Sequence, residues 1–259
     1  MNGVKPVFIA DTCIGGLSVV KSLWRAGHAA DAVFMADYAI NPLGVKSDAA
    51  IGEVVNNWLK LAGEHSDTLV MACNTLSIRY RQLQQSQAPV SSLKKIVSMA
   101  DCFEAMVSAE ADRLAKRKVL VIGTEFTASQ DLYPDMLKTA LPGTRVTTVA
   151  ATDLERKIAR FQLQDGDELF SRDLSLAIAA TDIAVLACTC FPMVRLELES
   201  RFPGVTLLDP GEYCSGLLNE NKTSQAGKLS IRVSGDAVSK SRVIDFARSY
   251  LNNDAVIST

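Results

Sequence analysis

Two cysteines close two matching apolar runs. One run is Thr68-Leu69-Val70-Met71-Ala72-Cys73, followed by Asn74-Thr75; the other is Ile183-Ala184-Val185-Leu186-Ala187-Cys188, followed by Thr189-Cys190. Short aliphatic, β-branched runs of this kind are the pattern of strands buried on both faces of a parallel sheet. Each delivers Ala-Cys and small polar residues to the carboxyl end of its strand, where open α/β sheets hold their ligands. Two such halves facing one another across a cleft would oppose one thiol to the other. Opposed thiols suit the removal of a proton from one face of a carbon and the return of a proton to the other.

The residues around the cysteines extend this chemistry. Cys73 is expected at a helix start, a position that lowers a thiol pKa from its free value of about 8.5. Asn74 and Thr75 supply short donors of the kind that hold a carboxylate. The first loop, Ala10-Asp11-Thr12-Cys13-Ile14-Gly15-Gly16-Leu17-Ser18, joins a strand to a helix. Its two glycines permit a tight turn with exposed backbone amides, but Asp11 would repel a phosphate and suits a positively charged amine instead. Cys188-Thr189-Cys190 is also compatible with a redox couple or a metal clip. For every one of these cysteines the plainer alternative is a small buried hydrophobe, and Cys102 and Cys214 are expected only to pack.

The elements that must position these residues alternate. Strands are expected at 6–11, 32–37, 68–73, 94–99, 118–123, 145–150, 183–188 and 205–209. Helices are expected near 16–27, 47–64, 76–86, 103–116, 129–140, 152–162, 167–180, 193–202, 211–220 and 239–252. This alternation predicts an α/β fold with mostly parallel pairing. Gly27 is placed to cap the first helix and Ser47 to open the second. The polar stretch 84–89 is short enough for a surface turn, and no low-complexity linker interrupts the chain. Crossovers are therefore expected near residues 99 and 209, giving one lobe of 1–99 plus 210–259 and another of 100–209.

Composition narrows the class. At 259 residues, with 48% apolar and 22% charged residues and a net charge of −2, the chain is an ordinary globular one with no basic patch for nucleic acid or acidic lipid. The amino terminus lacks the plan of a signal peptide, and no apolar run approaches the roughly 20 residues of a membrane span. A cytoplasmic location is expected, with no membrane or nucleic-acid partner. Six cysteines in a reducing compartment do not make a disulfide scaffold. No metal site is expected, because the spacing lacks Cys-x-x-Cys or Cys/His clusters and the only histidines, His28 and His65, fall at helix ends.

Taken together, the motifs resemble those of the aspartate/glutamate racemase superfamily, and in particular its cofactor-independent glutamate racemases. Those enzymes carry Asp-Ser-Gly-x-Gly-Gly-Leu-Ser, Pro-Tyr-Gly-x-Lys-Ser, Ala-Cys-Asn-Thr and Gly-Cys-Thr-His-Phe-Pro. Here the segments read Asp11-Thr12-Cys13-Ile14-Gly15-Gly16-Leu17-Ser18, Pro42-Leu43-Gly44-Val45-Lys46-Ser47, Ala72-Cys73-Asn74-Thr75 and Ala187-Cys188-Thr189-Cys190-Phe191-Pro192. The Val121–Thr127 turn and Val233-Ser234-Gly235-Asp236 also match, so the resemblance runs from about residue 6 to residue 250.

The resemblance implies two pseudo-symmetric α/β lobes with the active site in the cleft between them, and no pyridoxal phosphate or metal. It implies Cys73 and Cys188 as the acid/base thiols, one for each enantiomer. Asp11 and Thr12 would meet the substrate amine, and Gly44, Asn74, Thr75, Thr124 and Thr189 would hold its carboxylates. A supporting carboxylate is expected after the strand at 145–150, with Glu155 the first candidate and Asp153 the second. A homodimer follows by the same analogy.

Three of the segments depart from the pattern. Cys190 stands for the family histidine and Leu43 for the tyrosine of the pocket wall, both expected to contact substrate, and Thr12-Cys13 stands for Ser-Gly. Both thiols remain, and the expected activity is a cofactor-independent racemase of an acidic amino acid, glutamate first and aspartate close behind. A relative that protonates one face only, such as a decarboxylase, and a non-catalytic ligand-binding descendant are the alternatives.

Overall fold

A computed structural model describes residues 5–28, 31–86, 91–163, 168–218, 227–252 and 257–258. In chain order the first elements are β1 (Val7–Asp11), α1 (Gly16–Arg25), β2 (Ala32–Asp37), α2 (Asp48–His65), β3 (Thr68–Met71), α3 (Asn74–Ser86) and β4 (Lys95–Ser98). The chain crosses through α4 (Met99–Ala109) and α5 (Ala111–Leu114) to β5 (Lys118–Gly123), α6 (Glu125–Ala128), α7 (Leu132–Ala140) and β6 (Arg145–Ala150). There follow α8 (Thr152–Ala159), α9 (Arg172–Ala179), β7 (Ile183–Leu186), α10 (Arg195–Arg201) and β8 (Thr206–Leu208). The last elements are α11 (Cys214–Leu217), β9 (Leu229–Ser234), α12 (Lys240–Leu251) and β10 (Ile257–Ser258).

The strands form two sheets whose pairings are parallel throughout. One has the order β10-β9-β2-β1-β3-β4 and the other β6-β5-β7-β8. The second order repeats the β2-β1-β3-β4 part of the first, so β1 corresponds to β5 and β3 to β7. In each half the chain reverses its direction of winding between these two strands, and a crevice opens there at their carboxyl ends. The alternating α/β fold with two parallel sheets is as the sequence pattern predicts.

Each of the eight expected strands is present, and the helices are reshaped mainly at their ends. Gly27 (φ +76°) ends α1, where Gly27 N–H donates to Trp24 O and His28 N–H to Leu23 O, closing a double-bonded cap. The Ser47 side chain accepts from Ala50 N–H at the start of α2. The helix expected from 103 begins instead at Met99, because Ser98 and Asp101 form a reciprocal capping box worth about 1 kcal/mol. The helix expected over 129–140 is two helices, α6 capped by Thr124 and then α7. That expected over 152–162 stops at Ala159, with Phe161 left-handed at φ +55°. Pro192 and Pro210 each open a 3₁₀ turn, so the helices expected from 193 and 211 begin later, at Arg195 and Cys214. Ser171 caps α9, and α3 runs to Ser86, into the stretch expected as a turn. Residues 87–89 of that turn, 167 and 219–220 of two expected helices, and 1–4 at the amino terminus lie outside the described residues.

Strands β9 and β10 are additions. β9 pairs with β2 from Ala32↔Leu229 to Asp37↔Ser234, and its alternation of Leu229, Ile231 and Val233 with polar residues is the period of a half-buried strand. Among the described residues no helix is long and apolar enough to cross a membrane.

Hydrogen bonds bridge the two sheets' elements close to their facing ends. Tyr38 Oη donates to Ala159 O at 2.7 Å, Tyr133 Oη to Asn74 Oδ1 at 2.7 Å, and Thr189 Oγ1 to Asp11 Oδ2 at 2.8 Å. Gly15 permits the closest approach: a Cβ there would sit 2.5 Å from Thr189 Oγ1 and 2.8 Å from Asp11 Oδ2.

Candidate active site

A cavity of about 320 Å³ lies between the facing strand ends. From the first sheet it receives Asp11, Thr12 and Cys13 after β1, Asn41–Val45 after β2, and Cys73, Asn74 and Thr75 after β3. From the second it receives Thr124–Thr127 after β5, Thr152 and Glu155 after β6, and Ala187, Cys188 and Thr189 after β7. Cys73 and Cys188 therefore stand at equivalent strand ends and face one cavity, 7% and 8% exposed. Among the described residues the lining holds Asp11, Glu125 and Glu155 but no Lys, Arg or His.

Asp11 is the polar hub. Its Oδ1 accepts Thr12 N–H at 2.6 Å, and its Oδ2 accepts the Thr189 hydroxyl. Burial nevertheless pushes its carboxyl up to about 7, outweighing these bonds, and the charge of Glu155 adds to the rise. Thr189 thus commits its hydroxyl proton to Asp11 rather than to the cavity.

Cys73 precedes α3 and lies 3.9 Å from Thr12 Oγ1. The sequence expectation of a lowered thiol pKa is reversed here. Burial lifts the Cys73 thiol well above its ordinary range and the charge of Asp11 adds to this, while the Leu76 N–H and the Thr12 hydroxyl pull back less strongly. Asn74 is oriented by Tyr133, whose hydroxyl occupies Oδ1 and leaves the amide N–H₂ as the side chain's donor. Tyr133 is itself locked by stacking on Phe103, with centroids 4.2 Å apart. Thr124 caps α6, and Leu43 and Gly44 enter on a 3₁₀ turn, Leu43–Val45, with Gly44 close against Phe126.

The two carboxylate candidates separate cleanly. Glu155 lines the cavity, where burial raises its pKa and the Asn41 side chain, by bonding it, lowers it. Asp153 is exposed and paired with Arg156. Cys190, expected to touch substrate, is not among the lining residues. It is fully buried behind them, with Sγ 3.4 Å from Cys13 Sγ and in hydrogen-bonding contact with Cys188. Neighbouring thiols and burial push the Cys190 thiol well up. Contact with Cys190 pulls the Cys13 thiol down, but burial and the charges of Asp11 and Glu155 carry it to about 12.

Sequence reasoning missed Asn41 and Tyr133. Asn41 adjoins the quoted Pro42 segment, which was its one signal; Tyr133 had none, since it meets Asn74 from 59 residues away.

Residues 28–214, from β2 through both cysteine-bearing strand ends, match the family described as Asp/Glu/Hydantoin racemase. The chain belongs to that family. A glutamate racemase of Shewanella frigidimarina is 29% identical over 219 residues, covering 80% of this chain and 79% of the relative. The fold is shared with the glutamate racemase of Campylobacter jejuni (TM-score 0.77, 24% identity, 96% and 99% of the two chains). It is shared also with that of Francisella tularensis in complex with D-glutamate (TM-score 0.72, 18% identity, 98% and 96%). The match to the racemase family contains Cys73, Cys188 and Glu155 and leaves Asp11 outside.

Proposed function

We propose that this racemase-family protein interconverts the enantiomers of an acidic amino acid, glutamate first and aspartate second, by proton transfer between Cys73 and Cys188. The observation that carries this is the placement of the two thiols at equivalent strand ends of two sheets with the same order, on one cavity. The name of the Shewanella relative favours glutamate.

One thiolate takes the α-proton. The electron pair left on carbon spreads into the α-carboxylate, which Asn74, Thr75 and Thr124 hold with hydrogen bonds. The opposing thiol then gives its proton to the other face, and the two sulfurs have exchanged roles. Each such group contributes roughly 10²- to 10⁴-fold, and preorganised donors in a dry site supply the remainder. Asp11 meets the substrate ammonium, assisted by Thr12 and Thr189, and the ammonium brings positive charge into a lining of carboxylates and buried thiols. Thr189 faces the α-carboxylate through its backbone N–H, its hydroxyl being committed to Asp11. Leu43 and Gly44 close the side-chain end, Glu155 with Asn41 supports the Cys188 side, and Cys190 acts on Cys188 from behind. This chemistry calls for neither pyridoxal phosphate nor a resident metal.

We take the lobes as 1–99 with 210–259, and 100–209, in a cytoplasmic homodimer. The reading is tested by α-proton exchange in heavy water with each enantiomer of glutamate and aspartate, without added cofactor. Exchange with inversion on one substrate, made one-sided or lost in Cys73→Ser and Cys188→Ser, is the expected result. Folded, reduced protein that exchanges none of the four would overturn it.

A further inference from the structure

Cys13 Sγ, Cys190 Sγ and a carboxylate oxygen of Glu155 all lie within 4.8 Å of one another. They come from the β1 loop, the β7 loop and α8, so three separate backbone segments from both sheets hold them in place. In a tetrahedral site with metal–sulfur bonds of about 2.3 Å, neighbouring sulfurs sit about 3.8 Å apart. The observed 3.4 Å between the two sulfurs needs only a small outward adjustment to reach that separation. Two sulfurs and one oxygen are a donor set for a thiophilic divalent cation, not for magnesium or calcium.

Three further observations point the same way. Among the described residues the cavity lining carries Asp11, Glu125 and Glu155 with no Lys, Arg or His, although Arg156 and Arg160 act on Glu155 from outside it. Cys13 and Glu155 face the cavity, which gives an ion an entry path and leaves one coordination position open to it. Cys13 and Cys190 stand where the family motifs have glycine and histidine, so both sulfurs are features of this chain. Spacing along the sequence did not reveal the cluster, because its members are 142 and 35 residues apart in turn.

We propose that Cys13, Cys190 and Glu155 form an inter-lobe binding site for a thiophilic divalent cation such as zinc. Binding forms two metal–sulfur bonds and one metal–oxygen bond to the Glu155 carboxylate, and releases the two thiol protons to solvent. No electron is transferred. The bound ion holds the Cys190 sulfur, which otherwise contacts Cys188. The site itself does not depend on the racemase reading.

The test is a cobalt titration of chelator-stripped full-length protein held in a non-thiol reductant, followed by absorption spectroscopy. The expected result is saturation at one equivalent, with thiolate-to-cobalt charge-transfer absorption, tetrahedral visible bands and displacement by zinc. Because changes to groups around a metal site already cost about 10- to 100-fold in affinity, Cys13→Ser and Cys190→Ser should each weaken binding by at least that much. Glu155→Gln should weaken it in the same direction, and it decides the matter if a cysteine variant misfolds. Cys73→Ser should keep both stoichiometry and spectrum. The proposal is overturned if no thiolate band develops at one equivalent. It is overturned equally if the band survives in folded Cys190→Ser protein, if Glu155→Gln leaves affinity unchanged, or if Cys73→Ser abolishes the band.

Discussion

Cys13 Sγ lies 3.4 Å from Cys190 Sγ, across the line where the two sheets meet. These residues replace a glycine and a histidine of the family motifs, and the two replacements are neighbours in space. The two side chains fill one buried space, so a smaller residue at 13 is expected to make room for a larger one at 190. The two departures are thus one packing exchange at the cavity wall, with Cys13 on the lining and Cys190 behind it.

The exchange predicts strong coupling between the two positions. Cys190→His alone overfills a fully buried site and should destabilise the protein by about 1–3 kcal/mol. Adding Cys13→Gly should recover most of that loss, with an interaction of at least about 1 kcal/mol in a double-mutant cycle. Urea unfolding of the four proteins measures it. Additive effects would mean that the sulfurs do not share one space.

Asp11 predicts an unusual pH profile for stability. Its carboxyl titrates near 7 in the folded chain, raised by burial from an ordinary value of 3.8. The folded state therefore holds this proton more tightly than the unfolded state does. The stabilisation is complete below about pH 4 and is lost as pH rises through 7, with a slope that approaches about 1.4 kcal/mol per pH unit for one group. Asp209, also raised by burial to about 7, acts in the same direction. Asp11→Asn should flatten the decline between pH 4 and 7, and denaturant unfolding across that range checks it. An unchanged slope in the variant would place the titration elsewhere.

Much of this molecule is legible from local pattern. Both cysteine-bearing strands read directly, since buried parallel strands are short unbroken apolar runs, and the caps at Ser47 and Gly27 follow from residue type. β9 does not announce itself in that way, because it alternates Leu229, Ile231 and Val233 with polar residues and so lacks a continuous apolar run. Asp153 and Glu155 share the first turn of α8, and only the helix's angular phase turns one to solvent and the other to the cavity. The thiol of Cys73 is harder still. Its position before a helix argues for a lowered pKa, yet burial and Asp11, both properties of the assembled fold, reverse the sign. The Cys13–Cys190 contact, 177 residues apart in sequence, belongs to the same class of fact.

Tyr133 gives a prediction for a residue with no part in the proton transfers. It lies outside the cavity lining, and its hydroxyl fixes which end of the Asn74 amide faces the cavity. Tyr133→Phe removes one hydrogen bond and frees the amide to turn its oxygen toward the substrate carboxylate. A typical net value of about 1 kcal/mol for such a bond corresponds to roughly a fivefold change. The loss should fall mainly on KM for the amino acid, because the ground-state carboxylate already needs the donor. Steady-state kinetics in both directions separate the two constants. An effect confined to kcat would instead mean that the Asn74 bond strengthens only as charge develops on that carboxylate.

Gly15 tests how closely the two halves must approach. An added Cβ would meet Thr189 Oγ1 at 2.5 Å, Asp11 Oδ2 at 2.8 Å and Cys190 N at 3.0 Å. None of these is the free end of a long side chain, and Thr189 and Asp11 are bound to each other, so the clash is relieved only by parting the β1 and β7 loops. Gly15→Ala should therefore cost about 1–3 kcal/mol of stability. It should also lengthen the Thr189–Asp11 bond and lower kcat/KM by more than the fraction unfolded explains. Melting curves measured beside kinetics on the folded fraction distinguish the two effects. Because the methyl group pushes on the β7 loop that carries Cys188 and on Asp11, which sits beside Cys73, activity retained with stability lost would show that the thiols tolerate a wider cleft.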